Sequence, residues 1–201
     1  MTDARSDLLP VLSGPPSERS DAARNRAALM TAAQRLIARD GIRAVTMAAV
    51  AAEAGVGKGT VFRRFSSRQG LMAAVLDHSE AVWQASVLSG PPPLGPGADP
   101  LDRLVAFGRS RLETTLSHVD LIRQASGGLA GRSHPAYAFA VMHLRYLLRE
   151  LEVAGDLPLI AVALMAPLET PALDAEIVHD EQFVDRVHAG WVDLVGRVVK
   201  R

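Results

Sequence analysis

TMAAVAAEAGVGKGTVFRRF, residues Thr46–Phe65, is the stretch on which the fold turns. Thr46 can cap a short helix over Met47–Ala54, and Gly55 stops it, in a position that calls for positive φ. A second short helix runs from about Lys58 to Phe65. Ala51 is small enough for two helices to cross closely, and Val50, Val56, Val61 and Phe65 are the apolar contacts expected to lock them together. Two short helices meeting at a sharp turn form a helix-turn-helix, whose second helix presents its exposed side to a DNA major groove. Lys58, Thr60, Arg63 and Arg64 supply polar surface there. Gly57 and Gly59 let backbone come close to phosphate.

Outward from this stretch the pattern stays helical. Ser20-Asp21 can cap a helix that ends at Gly41, with Met30, Ala33 and Ile37 on one face. After Phe65, Ser66 with Gln69 fits a capping box, and Ser67 is the alternative cap, for a helix reaching about Leu88. Ser89–Pro100, SGPPPLGPGADP, breaks the chain. Helix resumes over Leu101–Leu116, with a bend and a further helix over His118–Ala125. Ser126–Pro135 is a glycine-rich loop, and Pro135 opens a helix to about Val153. Leu157–Ile177 is apolar and helical despite three prolines, and Asp180–Lys200 is a final amphipathic helix. The fold class read from this is all-α with about nine helices. Residues 1–19 form an arm, 20–66 a helix-turn-helix head and 67–201 a helical body.

Composition narrows the function. Of the 201 residues, 22 are basic and 22 acidic, but the charge is segregated. Residues 1–70 hold 11 Lys/Arg and 6 Asp/Glu; residues 71–201 hold 11 and 16. A basic head on an acidic body suits a nucleic-acid binder with a separate second module. There is no cysteine, so no disulfide framework or thiolate metal site, and the cytoplasm is the expected location. No apolar run is long enough to span a membrane, and Leu8–Leu12 is too short for a signal peptide. None of His78, His118, His134, His143, His179 and His188 sits at a metal-ligand spacing, so no metal is assigned. No nucleophile elbow or dinucleotide fingerprint occurs. In Gly55–Thr60, Gly59 separates Lys58 from Thr60, which a phosphate loop does not allow. Neither catalysis nor a cofactor is expected.

The ordered set Thr46, Val50, Ala51, Ala54, Gly55, Val56, Gly59, Thr60, Val61, Phe62, Phe65, Ser67, Arg68, Gln69 and Leu71 resembles the TetR family of transcriptional regulators across about Ser20–Leu76. The resemblance implies that Thr46, Lys58 and Arg68 hold phosphates, aided by the helix N-terminus after Ser67. It implies that Gly59, Thr60 and Arg63 face base edges, with Arg64 in either role. Two positions depart from the family. Phe62 stands where Tyr is usual and has no hydroxyl for a phosphate, and Gly57 stands where Ser is common.

The resemblance further implies a homodimer on a palindromic double-stranded operator. The last two helices of each chain would form a four-helix bundle, and a small hydrophobic effector would bind in the body to release DNA. A regulator governed by a protein partner or by abundance, without an inducer, is the alternative. The stripe Phe183, Val187, Trp191, Leu194 and Val198 offers the dimer surface, and it equally suits the chain's own core. Trp83, Phe107, Leu112, Gln124, Tyr137, Met142, His143, Tyr146 and Met165 could line the effector pocket, or simply pack.

Overall fold

The computed structural model describes residues 16–126, 135–169 and 182–200. Among these, every regular element is helical: α1 Pro16–Asp40, a 3₁₀ turn Ile42–Ala44, α2 Met47–Glu53, α3 Lys58–Phe65, α4 Arg68–Ser89, α5 Pro100–Ser126, α6 Pro135–Glu150, α7 Leu157–Glu169 and α8 Phe183–Val199. The all-α expectation therefore holds, with eight α-helices against about nine. The difference lies in α5. The expected bend after Leu116 is absent and one helix runs through it, because Leu112, Thr115 and Val119 stay buried on one continuous helical face. Two ends also move. Helix α1 starts at Pro16, earlier than the Ser20-Asp21 cap; proline fits a first turn, where its missing N–H costs nothing. Helix α6 stops at Glu150, short of Val153, and Glu152 follows with φ 53°. The remaining part of the expected arm, and residues 170–181 of the expected apolar helix, lie outside the described residues.

Packing divides the chain into two units, one ending at Val61 and the other beginning at Phe62, within α3. In the first, α1 packs on α2 and on the 3₁₀ turn. Leu29, Met30, Ala33, Leu36, Val45, Met47, Val50 and Val61 are buried. They follow helical spacing, and burying each large side chain is worth about 1.5–3 kcal/mol.

In the second unit all five helices feed one core: Trp83 and Val87 from α4, Leu104, Phe107 and Leu112 from α5, Leu144, Leu147 and Leu148 from α6, Leu164, Met165 and Leu168 from α7, Trp191 and Val195 from α8. Helix α8 lies close to α5 because Gly108 has no side chain; a β-carbon there would run into the Trp191 ring. The Trp191 indole N–H donates to the Leu164 carbonyl at 2.8 Å and ties α8 to α7.

Candidate nucleic-acid interface and the body core

The helix-turn-helix is held by local bonds that its residue types supply. Thr46 caps α2: its Oγ1 accepts from the Ala49 amide at 3.0 Å, which leaves the hydroxyl proton free to be donated outward. Gly55 takes φ 67°, the left-handed conformation expected of it. The turn closes with the Val56 amide on the Ala51 carbonyl (2.9 Å) and the Gly55 amide on the Ala52 carbonyl (3.2 Å), both bonds of a Schellman motif. Arg39 of α1 reaches Glu53 of α2 at 3.3 Å, an exposed pair of small worth.

On α3, Val61 and Phe65 are buried, while Lys58, Gly59, Phe62, Arg63 and Arg64 are exposed and Thr60 is half-buried. At 100° per residue, Gly59 and Arg63 share the face opposite Val61 and Phe65. Phe62 flanks that face on one side, Thr60 and Arg64 on the other. Of the two candidate caps for α4, Ser67 is used: its Oγ accepts from the Gly70 amide at 3.0 Å. Ser66 stands at φ 61°, outside the extended conformation a cap needs. Arg68 is the first residue of α4 and half-buried.

In the body, Trp83, Phe107, His143 and Tyr146 form one run of rings, with centroid separations of 5.5, 5.4 and 5.8 Å in that order. Phe139, not singled out from sequence, joins it against Trp83 (5.9 Å) and His143 (6.0 Å). Met165 is in the core, Tyr137 is half-buried, Met142 stands out to the surface, and the Gln124 side chain lies outside the described residues. Of the expected dimer stripe, Leu194 is exposed and Phe183, Val187 and Val198 are partly so. Trp191 is committed to its own chain's core.

The sequence reading missed a buried ionic cluster. Arg111 of α5 is 3% exposed. Its Nη1 meets Glu80 Oε2 of α4 at 2.7 Å, and its Nε meets Glu169 Oε1 of α7 at 2.7 Å. Its guanidinium lies 4.8 Å from the Trp83 ring centroid. Burial pushes the Glu80 carboxyl up, but His118 and Arg111 outweigh it and hold the group below the usual carboxylate range. Burial works against the charge on Arg111; Glu169 and Glu80 more than restore it. The available signal was a charge inside each apolar stripe: Glu80 among Leu76, Trp83 and Val87, and Arg111 among Leu104, Phe107 and Val119.

His143 is 6% exposed, and its Nε2 has no hydrogen-bond partner. Burial first, and the charge of Arg103 second, lower its pKa to about 4. It is therefore neutral at pH 7. In the unfolded chain it protonates near pH 6.5. Stability is thus fully present above about pH 6.5 and is lost as pH falls towards 4. Between pH 7.5 and 5 the loss should be about 2 kcal/mol. Urea melts at the two pH values will show this as a loss in the wild type that His143→Phe does not share. Equal losses in both proteins would remove the buried neutral histidine from the account.

Residues 29–75 match the family described as bacterial regulatory proteins, tetR family. No curated protein matches the chain. Among solved structures, the chain is similar to a TetR-family transcriptional regulator from Pectobacterium atrosepticum, with 21% identity over 89% of this chain and 94% of that one and a TM-score of 0.68. It is similar to another from a Rhodococcus species, with 20% identity over 88% and 99% and a TM-score of 0.64. It is also similar to a transcriptional regulator from Saccharomonospora viridis in complex with choline, with 19% identity over 87% and 96% and a TM-score of 0.61. At these identities the likeness is one of fold.

Proposed function

We propose that this chain, whose residues 29–75 belong to the tetR family of bacterial regulatory proteins and whose helices share the fold of such regulators, is a dimeric repressor that leaves a palindromic operator when a small molecule enters its body. The observation that carries the reading is the α2–Gly55–α3 turn. Its two Schellman bonds fix where α3 begins, and the Gly59–Arg63 face is left outward, opposite the buried Val61 and Phe65.

In this reading Thr46, Lys58 and Arg68 hold phosphates, and Gly59, Thr60 and Arg63 meet base edges. Phe62 packs against the sugar–phosphate backbone, and Arg64 makes up for the missing tyrosine hydroxyl. Residues 20–66 serve as the DNA-reading head and 67–201 as the regulatory body. One helix-turn-helix covers one half-site, so specific binding calls for two. Helix α7 offers the mating surface: Leu159 is 65% exposed, Val162 is exposed, and the small Ala163 and Ala166 beside them allow close approach. Leu194 of α8 is exposed as well. The choline held by the Saccharomonospora viridis protein supports an effector in the body here. No described helix is long and apolar enough to cross a membrane, and the reading places the protein in the cytoplasm with its DNA.

Operator fragments selected from genomic DNA by the purified protein provide the test. Arg63→Ala should lose about 1–3 kcal/mol of specific binding and loosen sequence preference. Arg68→Ala should weaken selected and random duplexes alike and flatten the salt dependence. Fluorescence titrations on both duplexes separate the two. Equal losses on both for Arg63→Ala would take it out of base reading, and no selectable fragment at all would end the regulator reading.

A further inference from the structure

Among the described residues the body has two buried arginines, and they are treated differently. Arg111 has two carboxylates. Arg103, on the same helix α5 and 9% exposed, has no ion pair among the described residues, and its Nε has no hydrogen-bond partner. Its guanidinium carbon lies 5.8 Å from the centroid of the Tyr146 ring. The His143 ring lies 5.8 Å from that same ring, and its Nε2 is also buried without a hydrogen-bond partner. Tyr146 is exposed, so this corner of the aromatic run has a way out to solvent.

We propose that Arg103 and His143 form the anion-binding end of the effector site, and that the effector is a small monocarboxylic acid with a flat apolar body. The inference rests on the effector reading above and adds the chemical class. A buried charge without a counter-ion is costly, and the group that relieves it carries the opposite charge. A carboxylate fits the guanidinium fork with two parallel N–H···O bonds. The His143 imidazole supplies one further donor through Nε2 in the matching tautomer. One arginine and one imidazole that burial keeps neutral balance a monoanion, not a phosphate dianion. A cation would face Arg103 unscreened, and a neutral ligand would leave the charge as it was. Phe107 and Phe139 both stack on His143, at interplanar angles of 27° and 18°, and hold it in place, while the exposed Tyr146 ring beside Arg103 offers the flat apolar face for the rest of the molecule.

The experiment uses the full-length protein with three isosteric probes: benzoate, benzamide and benzylamine. Benzoate at about 10 mM should raise Tm by about 3 °C, and benzamide and benzylamine should not. Arg103→Met should weaken benzoate at least about tenfold in calorimetric titration, and Arg103→Lys, which keeps charge without the fork, by less. The His143 ring signals in NMR should move with benzoate and saturate with it. Equal stabilisation by benzamide, full benzoate affinity in Arg103→Met, or unmoved His143 signals each overturn the proposal. So does the absence of any benzoate effect in protein that still binds its selected operator fragment. Operator binding in the same preparation keeps the two ideas apart. Its loss condemns the regulator reading, whereas its survival alongside Arg103-independent binding of a neutral probe condemns only the carboxylate.

Discussion

Arg111→Ala is expected to destabilise the protein by about 3–5 kcal/mol, because it strands the Glu80 carboxylate in the body core and takes the partner from the half-buried Glu169. Glu80 would keep only His118, whose Nδ1 stands 3.7 Å from its Oε1, beyond hydrogen-bond reach. Glu169 would keep none of its bond to the guanidinium Nε. Trp83 would lose the cation over its ring, although its own N–H bond to Ser110 Oγ at 3.1 Å remains. The loss has a pH signature. In the wild type Glu80 is held low, so its contribution is present above the ordinary carboxylate range and fades as pH falls through the folded value. In Arg111→Ala, His118 still opposes burial but the pull of the guanidinium is gone, so the Glu80 carboxyl rises from its wild-type position and takes up its proton at higher pH. The gap between wild type and variant should therefore narrow as the solution is acidified. The triple change Arg111→Met, Glu80→Gln, Glu169→Gln should recover most of the loss, since an ion cluster replaced whole leaves no charge stranded. Urea melts at pH 7.5 and 5 decide it. A loss below about 1 kcal/mol at pH 7.5, or no recovery in the triple variant, would mean that the cluster is not the closed unit its geometry describes.

Legibility followed range along the chain. The Thr46 cap, the Gly55 turn and the α3 face are each decided within about four residues, and all could be read from residue type alone. Ser66 and Ser67 were equal candidates by type, and backbone conformation separated them. The bend expected after Leu116 is absent because α5 keeps one face buried through it, with Leu112, Thr115 and Val119 at successive helical spacings. The Glu80–Arg111–Glu169 cluster joins residues 31 and 58 positions apart, so no local pattern could pair them. Aromatic residues at helical spacing were visible as candidates. His143 stacks on Phe139 as a local pair four residues apart on α6; that it also stacks on Phe107 depends on how α5 and α6 meet.

The final helix shows the same limit and leads to the second large effect. A stripe at four- and three-residue spacing cannot say whether its own chain or a second copy covers it. Trp191 is 2% exposed within one chain, so Trp191→Ala should cost about 3–5 kcal/mol in folding, from lost burial and the cavity left behind. The Leu164 carbonyl would also lose its indole partner. From the other side of the contact, Gly108→Ala should cost about 1–3 kcal/mol, because the new methyl meets a rigid ring with no flexible end to give way. Leu159→Asp and Leu194→Asp touch exposed positions instead. They should leave the core intact and weaken only association. Thermal melts over a wide range of protein concentration separate these outcomes. Trp191→Ala should lower Tm and keep the wild-type concentration dependence, whereas the two leucine variants should flatten that dependence. If Trp191→Ala flattened it too, with little loss of folding stability, the indole would belong to the mating surface after all.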